Sequence, residues 1–213
     1  MNRYSSADDP YCYPGTDVLR NKFDIRDSDK LADAERRLGY SKVLEEPPKG
    51  RFDRAHLMAH HRQLFGDLYP WAGKPRTVGI AKGVYRFEPP ERITKELDRV
   101  LGNVASEKHL KGLAPEAFCD RAAEHFSDLN VIHPFRDGNG RTLRRFFEQL
   151  AERAGHRLDW SKVPPELMIE ASRKGWERDL GPMRQLFRQV TRELTRDEKL
   201  RQEALERDNG RER

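Results

Sequence analysis

The stretch at residues 131–144, Val-Ile-His-Pro-Phe-Arg-Asp-Gly-Asn-Gly-Arg-Thr-Leu-Arg, constrains this chain more than any other. Two glycines flank an asparagine, and these residue types accept the backbone angles of a tight turn. The apolar residues that follow have helical spacing: Leu143, Phe146, Phe147, Leu150 and Ala154. The turn should therefore lie at a helix N-terminus, where backbone N–H groups and the helix dipole favour a bound phosphate.

Four polar side chains in this stretch could act on one phosphate-bearing ligand. Arg141 and Arg144 share one face of the first helical turn and can reach the same phosphate chain. Asp137 is an oxygen ligand placed to share Mg²⁺ with those phosphates. His133 can serve as a base near neutral pH. The alternative is a capped helix after a simple turn, but these residues in this order favour a phosphate site.

The stretch resembles the signature of the Fic family, His-Pro-Phe-x-(Asp/Glu)-Gly-Asn-Gly-Arg-x-x-Arg, and every specified position matches. Residues 64–73 are similar to a second Fic pattern, Leu-Phe-x-x-x-Tyr-x-Trp-Ala-Gly. The resemblance implies a mainly α fold, a Fic-type helical bundle with one β-hairpin flap over the active site. It also implies a protein adenylyltransferase, which transfers AMP from ATP to a Tyr, Thr or Ser hydroxyl of a target protein.

The resemblance assigns roles to the matched residues. His133 would take the proton from the target hydroxyl, Asp137 would hold Mg²⁺, and the two arginines would steady the β- and γ-phosphates of ATP. Asn139 would contact an α-phosphate oxygen and shape the turn, whereas Phe135 is expected mainly to anchor the loop in the core. The candidate nucleotide-binding residues are Lys82, Gly83, Phe135, Arg136, Gly138, Asn139, Gly140, Arg141 and Arg144.

The clearest β signal is at residues 77–87, where short β-branched and aromatic pieces flank a turn predicted at Lys82-Gly83. A hairpin of this size must lean on helices to be stable. The resemblance makes this segment the flap, which would align the target by strand-like pairing. Lys82 and Gly83 would then lie near the nucleotide or the target, although a plain surface hairpin is the alternative.

The rest of the chain predicts helices separated by short breaks. We interpret residues 1–27 as an N-terminal arm that packs on the core, 28–194 as the Fic domain, and 195–213 as a charged tail. Ser28 and Asp53 are predicted N-caps.

Three histidines, His56, His60 and His61, lie in the helix that follows the second predicted cap. The first two have the spacing of a zinc helix, but no glutamate completes a His-Glu-x-x-His motif, so we interpret them as ordinary helix residues.

Composition limits the partners. The net charge of +5 suits an anionic ligand such as ATP, but 41 basic against 36 acidic residues is a mixed surface, which makes nucleic acid an unlikely partner. Cys12 and Cys119 are too few and too far apart for a disulfide scaffold or a zinc site.

No apolar signal peptide or membrane-spanning run is present, so we expect no membrane partner. A bacterial cytoplasmic location is expected, and export into a host or recipient cell by another signal stays open.

Regulation is inferred from a missing motif. Many Fic proteins are restrained by the glutamate of (Ser/Thr)-x-x-x-Glu-(Gly/Asn), which pairs with the second signature arginine. Residues 41–45 have the spacing, but Glu46 follows where Gly or Asn is required. The chain therefore resembles the Fic class restrained by a separate small antitoxin, which we expect near Arg144. Toxins of that class modify the ATPase subunits of type II topoisomerases, which provides one candidate target.

Three other functions stay open. A basic helical module could hold nucleic acid on the phosphate site, and such binding would survive loss of His133. A degenerate Fic scaffold could act as an adaptor, although the signature is intact. A Fic-fold transferase could use another nucleotide or transfer another group. Family members that transfer phosphate or phosphocholine tend to depart from Gly-Asn-Gly, which this chain keeps.

Overall fold

The computed structural model describes residues 9–198, 200 and 201, so part of the predicted tail at 195–213 lies outside it. The described helices include α1 Ser28–Leu44, α2 Arg54–Phe65, α3 Pro90–Ser106, α4 Pro115–Ile132, α5 Asn139–Ala154, α6 Pro165–Trp176 and α7 Gly181–Val190. Short 3-10 turns lie at Lys108–Leu110 and Trp160–Lys162. The mainly helical fold predicted from the sequence is confirmed. No helix in this part of the chain is long and apolar enough to span a membrane.

Two antiparallel pairs of short strands accompany the helices: β1 Ala81–Lys82 with β2 Tyr85–Arg86, and β3 His156–Leu158 with β4 Thr191–Glu193. In the first pair Lys82 pairs with Tyr85, so the turn lies at Gly83 and Val84, one residue later than predicted. Gly83 has a φ of +61°, which glycine adopts at little cost.

The second strand pair was not predicted. Residues 183–194 carry a helical apolar stripe, but α7 ends at Val190 and the chain continues as a strand. Thr191 caps the helix, and its hydroxyl donates to the Phe187 carbonyl. Three-residue strands are too short to produce a recognisable alternating pattern.

The chain divides into two compact units. The first consists of Met1–Gly102 and Leu129–Arg145, and the second of Asn103–Asp128 and Phe146–Arg213. The signature stretch from Val131 to Arg144 falls entirely within the first unit. The second unit has an aromatic core, in which Phe126, Phe187 and Trp160 meet at centroid distances of 5.4–5.9 Å.

The first unit buries part of the N-terminal arm. Cys12, Val18 and Leu19 lie in one hydrophobic cluster with residues of α1, α2 and the loop after α2. The other buried members of this cluster are Leu31, Leu64, Phe65, Leu68, Tyr69, Trp71 and Ala72. The segment that follows α2, with its Tyr-x-Trp-Ala-Gly pattern, therefore lies beneath the arm.

Helix caps fix where α1 and α2 begin. Asp53 caps α2 as predicted, because its carboxylate accepts from the His56 amide at 2.9 Å. The cap of α1 is Asp27 and not Ser28, since the Asp27 carboxylate accepts from the amides of Asp29 and Lys30. The prediction was therefore wrong by one residue.

Candidate active site

His133 directly follows α4 and is held as a neutral imidazole. Its Nδ1 lies 2.9 Å from the carbonyl oxygen of Asn130, and because a carbonyl only accepts, Nδ1 carries the hydrogen. The proton-accepting nitrogen is then Nε2, the form that a general base needs. Burial lowers the pKa of His133 to about 3, so the ring is uncharged at neutral pH. Its backbone is left-handed, with a φ of +50°.

The flap, residues 77–87, lies against His133. The Phe87 ring stacks on the imidazole with 3.9 Å between centroids and 17° between planes. Burial is the main cause of the lowered pKa of His133, and the positive charges of Arg76 and of Lys82, at the end of β1, act in the same direction. The flap and the candidate base therefore belong to one site.

The turn before α5 depends on a single glycine. Gly138 has a φ of +80°, and a Cβ on it would lie 2.4 Å from Cε2 of Phe65. Gly140 lies instead inside α5, where a Cβ would meet Nη1 of Arg144 at 3.5 Å, an ordinary contact. The sequence suggested two glycines with special backbone angles, but only Gly138 has a positive φ. The helix N-terminus that follows it favours an anion by itself.

The side chain of Asn139 closes the turn. Its Oδ1 accepts from the Phe135 amide at 2.9 Å, and its Nδ2 donates to the Phe135 carbonyl at 2.8 Å. Asn139 and Phe135 are both buried. These contacts favour a loop-shaping role for Asn139 over the α-phosphate contact that the motif suggested.

His61 of α2 holds the other side of the loop. Its Nδ1 accepts from the Gly73 amide at 2.8 Å, so its Nε2 carries the hydrogen and donates to the Asp137 carbonyl at 3.0 Å. The ring stacks on Phe135 at 3.8 Å, which is the anchoring role expected for that phenylalanine. Burial lowers the pKa of His61 to about 3 and keeps this bonding pattern intact at neutral pH.

Arg136 does not share a surface with the other signature arginines. Its side chain is 0% exposed, and its Nε donates to the Asp9 carboxylate at 2.6 Å. The motif suggested a nucleotide contact, but this placement favours a structural role, because the guanidinium fastens the loop to the N-terminal arm.

Arg141 is oriented by two neighbours. Its Nη2 contacts Oε1 of Glu35 at 2.6 Å, and its guanidinium lies over the Phe65 ring, 4.5 Å from the centroid. The second oxygen of Glu35 accepts from the Tyr69 hydroxyl. Arg141 and Arg144 are each partly exposed, so they are the signature arginines that a ligand can reach.

The comparisons with known proteins agree with this geometry. A model of the Fic/DOC family matches residues 51–151, which include the flap and the whole signature. The probable protein adenylyltransferase y4lH of Sinorhizobium fredii is 40% identical over 184 residues, 86% of this chain and 96% of that protein. The chain belongs to the Fic/DOC family.

Two further Fic relatives extend the match. The probable protein adenylyltransferase Fic of Salmonella typhimurium is 37% identical over 199 residues, 92% of this chain and 99% of that protein. The crystal structure of the effector BepC from Bartonella tribocorum, with bound AMPPNP, aligns with a TM-score of 0.81 at 32% identity. It covers 87% of this chain and 97% of that one. The predicted family and the predicted mainly helical fold are confirmed.

The Fic site of this chain fits Mg²⁺ that arrives with a nucleotide. Asp137 is partly exposed, and its carboxylate accepts from the Gly138 amide at the N-terminus of α5. Mg²⁺ is usually bound by one or two carboxylates together with substrate phosphates, so one carboxylate beside a phosphate site is sufficient. Within the described residues, no group of three or more His, Cys, Asp or Glu could hold a metal. His56 and His60 therefore form no metal cluster.

Four residues that hold this Fic site are not predicted from the sequence: Asp9, Glu35, His61 and Arg76. Asp9 and Glu35 pair with signature arginines, and His61 and Arg76 bind backbone carbonyls of the signature loop. His61 has the one usable signal, since it lies three residues before Leu64, where the Leu-Phe-x-x-x-Tyr-x-Trp-Ala-Gly pattern begins. No local sequence pattern indicates a role for Asp9, Glu35 or Arg76.

Proposed function

We propose that this protein is a protein adenylyltransferase that transfers AMP from ATP to a hydroxyl side chain of a target protein. The observation that carries the proposal is a neutral His133, protonated at Nδ1, beside a helix N-terminus with two reachable arginines. Relatives that match nearly the whole chain are named as protein adenylyltransferases. The AMPPNP in BepC supports an ATP-like ligand on this fold.

The reaction needs one proton transfer and one displacement at phosphorus. His133 Nε2 accepts the hydroxyl proton as the hydroxyl oxygen attacks the α-phosphorus. The bond from the α-phosphorus to the bridging oxygen breaks, and pyrophosphate leaves. Arg141, Arg144 and the N-terminus of α5 stabilise the charge on the phosphates. Asp137 would hold Mg²⁺, which supplies further neutralisation of that charge.

The flap is the proposed docking element for the target. It lies beside His133, and a segment paired along a strand edge would present a side chain to the base. Lys82 and Gly83 stand at its tip, where the nucleotide and the target would meet. We propose the ATPase subunit of a type II topoisomerase as the first target to examine, in the bacterial cytoplasm or, after export, in a recipient cell.

The test is a lysate incubation with ATP labelled at the α-phosphate beside ATP labelled at the γ-phosphate. A protein band labelled from the α-position alone is expected, and mass spectrometry of that band identifies the target and the modified residue. Label from the γ-position would mean phosphotransfer and would contradict the proposal.

Two matched variants connect the label to the site. His133→Asn and His109→Asn make the same change at histidines with φ values of 50° and 55°, and asparagine tolerates both. Since general-base catalysis contributes about 10²–10⁴-fold, His133→Asn should reduce labelling by at least about 10²-fold. His109→Asn should leave labelling unchanged, and equal losses in both would contradict the assignment of the base.

We further propose that a separate small protein inhibits this enzyme by docking near Arg144. The Glu45 carboxylate accepts from Lys42 Nζ at 2.9 Å, and Glu46 occupies the position where a built-in inhibitory motif needs Gly or Asn. Pull-down of the tagged protein from its native cells should recover a small protein that stops AMP transfer. Glu45→Gly should change the transfer rate of the isolated chain by no more than about twofold. A large increase would show that Glu45 itself is the inhibitor.

A further inference from the structure

Arg76 is a fully buried cation whose guanidinium donates to four backbone carbonyls. Nε donates to the His133 carbonyl at 2.8 Å and Nη1 to the Val78 carbonyl at 2.7 Å. Nη2 donates to the carbonyls of Glu88 and Ile132 at 2.5 and 3.2 Å. The planar fork of five N–H groups suits such a set of acceptors, which a lysine ammonium could not reach together.

The four carbonyls belong to two parts of the candidate site. Val78 and Glu88 bracket the flap on either side of its two strands. Ile132 ends α4, and His133 follows it with a left-handed backbone. The last carbonyls of a helix have no partner within the helix and favour a cation. One side chain therefore satisfies the end of α4 and holds both ends of the flap.

The backbone of Arg76 adds a further contact to the same loop. Its amide donates to the Pro134 carbonyl at 2.8 Å. Three consecutive residues, Ile132 to Pro134, are thus bonded to one residue that is far away in the sequence. A left-handed non-glycine residue persists only when its surroundings over-determine it, and these contacts do so for His133.

We propose that Arg76 is a positioning residue, which fixes the backbone of His133 and the flap in a single register, so that Phe87 stacks on the catalytic imidazole. This inference rests on the proposed role of His133 as the base. Because its guanidinium is buried against backbone carbonyls, Arg76 itself is expected to touch neither nucleotide nor target. Its loss should therefore affect the rate of transfer more than the affinity for ATP, since the phosphate site on α5 is built from other residues.

The test compares Arg76→Lys with the wild type by histidine NMR, AMPPNP binding and AMP transfer. In the wild type, the ring current of the stacked Phe87 should shift the His133 imidazole protons upfield. In Arg76→Lys, the His133 signals should lose that upfield shift. The His61 signals, whose ring stacks on Phe135, should stay at their wild-type positions. Transfer of α-label should fall by about 10–10²-fold, the cost of a misplaced reacting group, and AMPPNP affinity should change little. Arg99→Lys is the surface control, since the Arg99 side chain is 53% exposed and pairs with Glu96 on α3, and it should change none of these readouts.

Two results would overturn the inference. One is Arg76→Lys with wild-type transfer and unchanged His133 signals. The other is simultaneous loss of all histidine signals, which would assign Arg76 to general stability. A second variant, Phe87→Leu, examines the stacking on His133 without altering Arg76: because Phe87 is partly exposed, this change should slow transfer by about tenfold without lowering the unfolding temperature. If the wild type transfers no AMP, the proposed function fails, but the NMR comparison still tests the positioning.

Discussion

Gly138→Ala is expected to abolish AMP transfer and to weaken AMPPNP binding by at least about 10²-fold, a change equivalent to about 2.7 kcal/mol. The added Cβ would lie 2.4 Å from Cε2 and 2.5 Å from Cζ of Phe65, which real contacts do not reach. Phe65 is 2% exposed and is held in place by the surrounding core. The Arg141 guanidinium packs over its ring. The substitution therefore disturbs the turn and one phosphate-binding arginine together.

The stability of this variant should also fall. A left-handed backbone costs alanine about 1–2 kcal/mol, and overpacking of a core ring costs about 1–3 kcal/mol more. Chemical unfolding measures the sum of these two losses in the free energy of unfolding. Calorimetric titration measures the loss of AMPPNP affinity.

Gly112→Ala is the matched control for that experiment. Gly112 has a φ of +81°, almost the value of Gly138, but a Cβ there would meet no atom within 4 Å. It belongs to the second unit, which does not contain the signature. Gly112→Ala should lower the free energy of unfolding only by the cost of a left-handed backbone, and it should leave AMPPNP binding unchanged. Wild-type AMPPNP binding by Gly138→Ala would contradict the role assigned to the turn.

The sequence predicts those parts of the site that follow from local spacing. The signature places His133, Asp137 and the reachable arginines around one helix N-terminus, because their separations along a turn and a helix fix their directions. The cap at Asp53 follows in the same way. Helical spacing likewise predicts one apolar face for α3, and its members are buried: Ile93, Leu97, Val100, Leu101 and Val104.

The sequence does not predict contacts between distant segments. Asp9 and Arg136 are 127 residues apart, and Glu35 and Arg141 are 106 residues apart, so no periodicity connects them. An arginine in a signature is easily interpreted as a ligand group, and only burial reveals that Arg136 is structural. Arg76 is a similar case, because its partners are carbonyls, which every residue carries.

After Gly138→Ala, removal of the Asp9 carboxylate should have the largest effect. It should lower the stability of the protein and, because of that, weaken nucleotide binding. The side chains of Arg136 and Asp9 are 0% and 6% exposed, so Asp9→Asn removes a buried negative charge that is paired with a buried cation. Breaking such a pair costs about 3–5 kcal/mol. Because Arg136 lies between Phe135 and Asp137 in the signature loop, AMPPNP binding should weaken too. Chemical unfolding and calorimetric titration measure the two losses.

Asp24→Asn is the control for this prediction, since it removes a carboxylate from an aspartate–arginine pair in the same arm. Asp24 and Arg26 are each 68% exposed, and such surface pairs contribute about 0–1 kcal/mol. A double variant, Asp9→Asn with Arg136→Met, leaves neither charge of the pair buried and should recover part of the lost stability, because the largest cost of breaking a buried pair is the uncompensated charge that remains. Equal effects of Asp9→Asn and Asp24→Asn would show that the arm does not hold the signature loop. Recovery of stability in the double variant without recovery of AMPPNP binding would instead assign to Arg136 a direct part in holding the nucleotide.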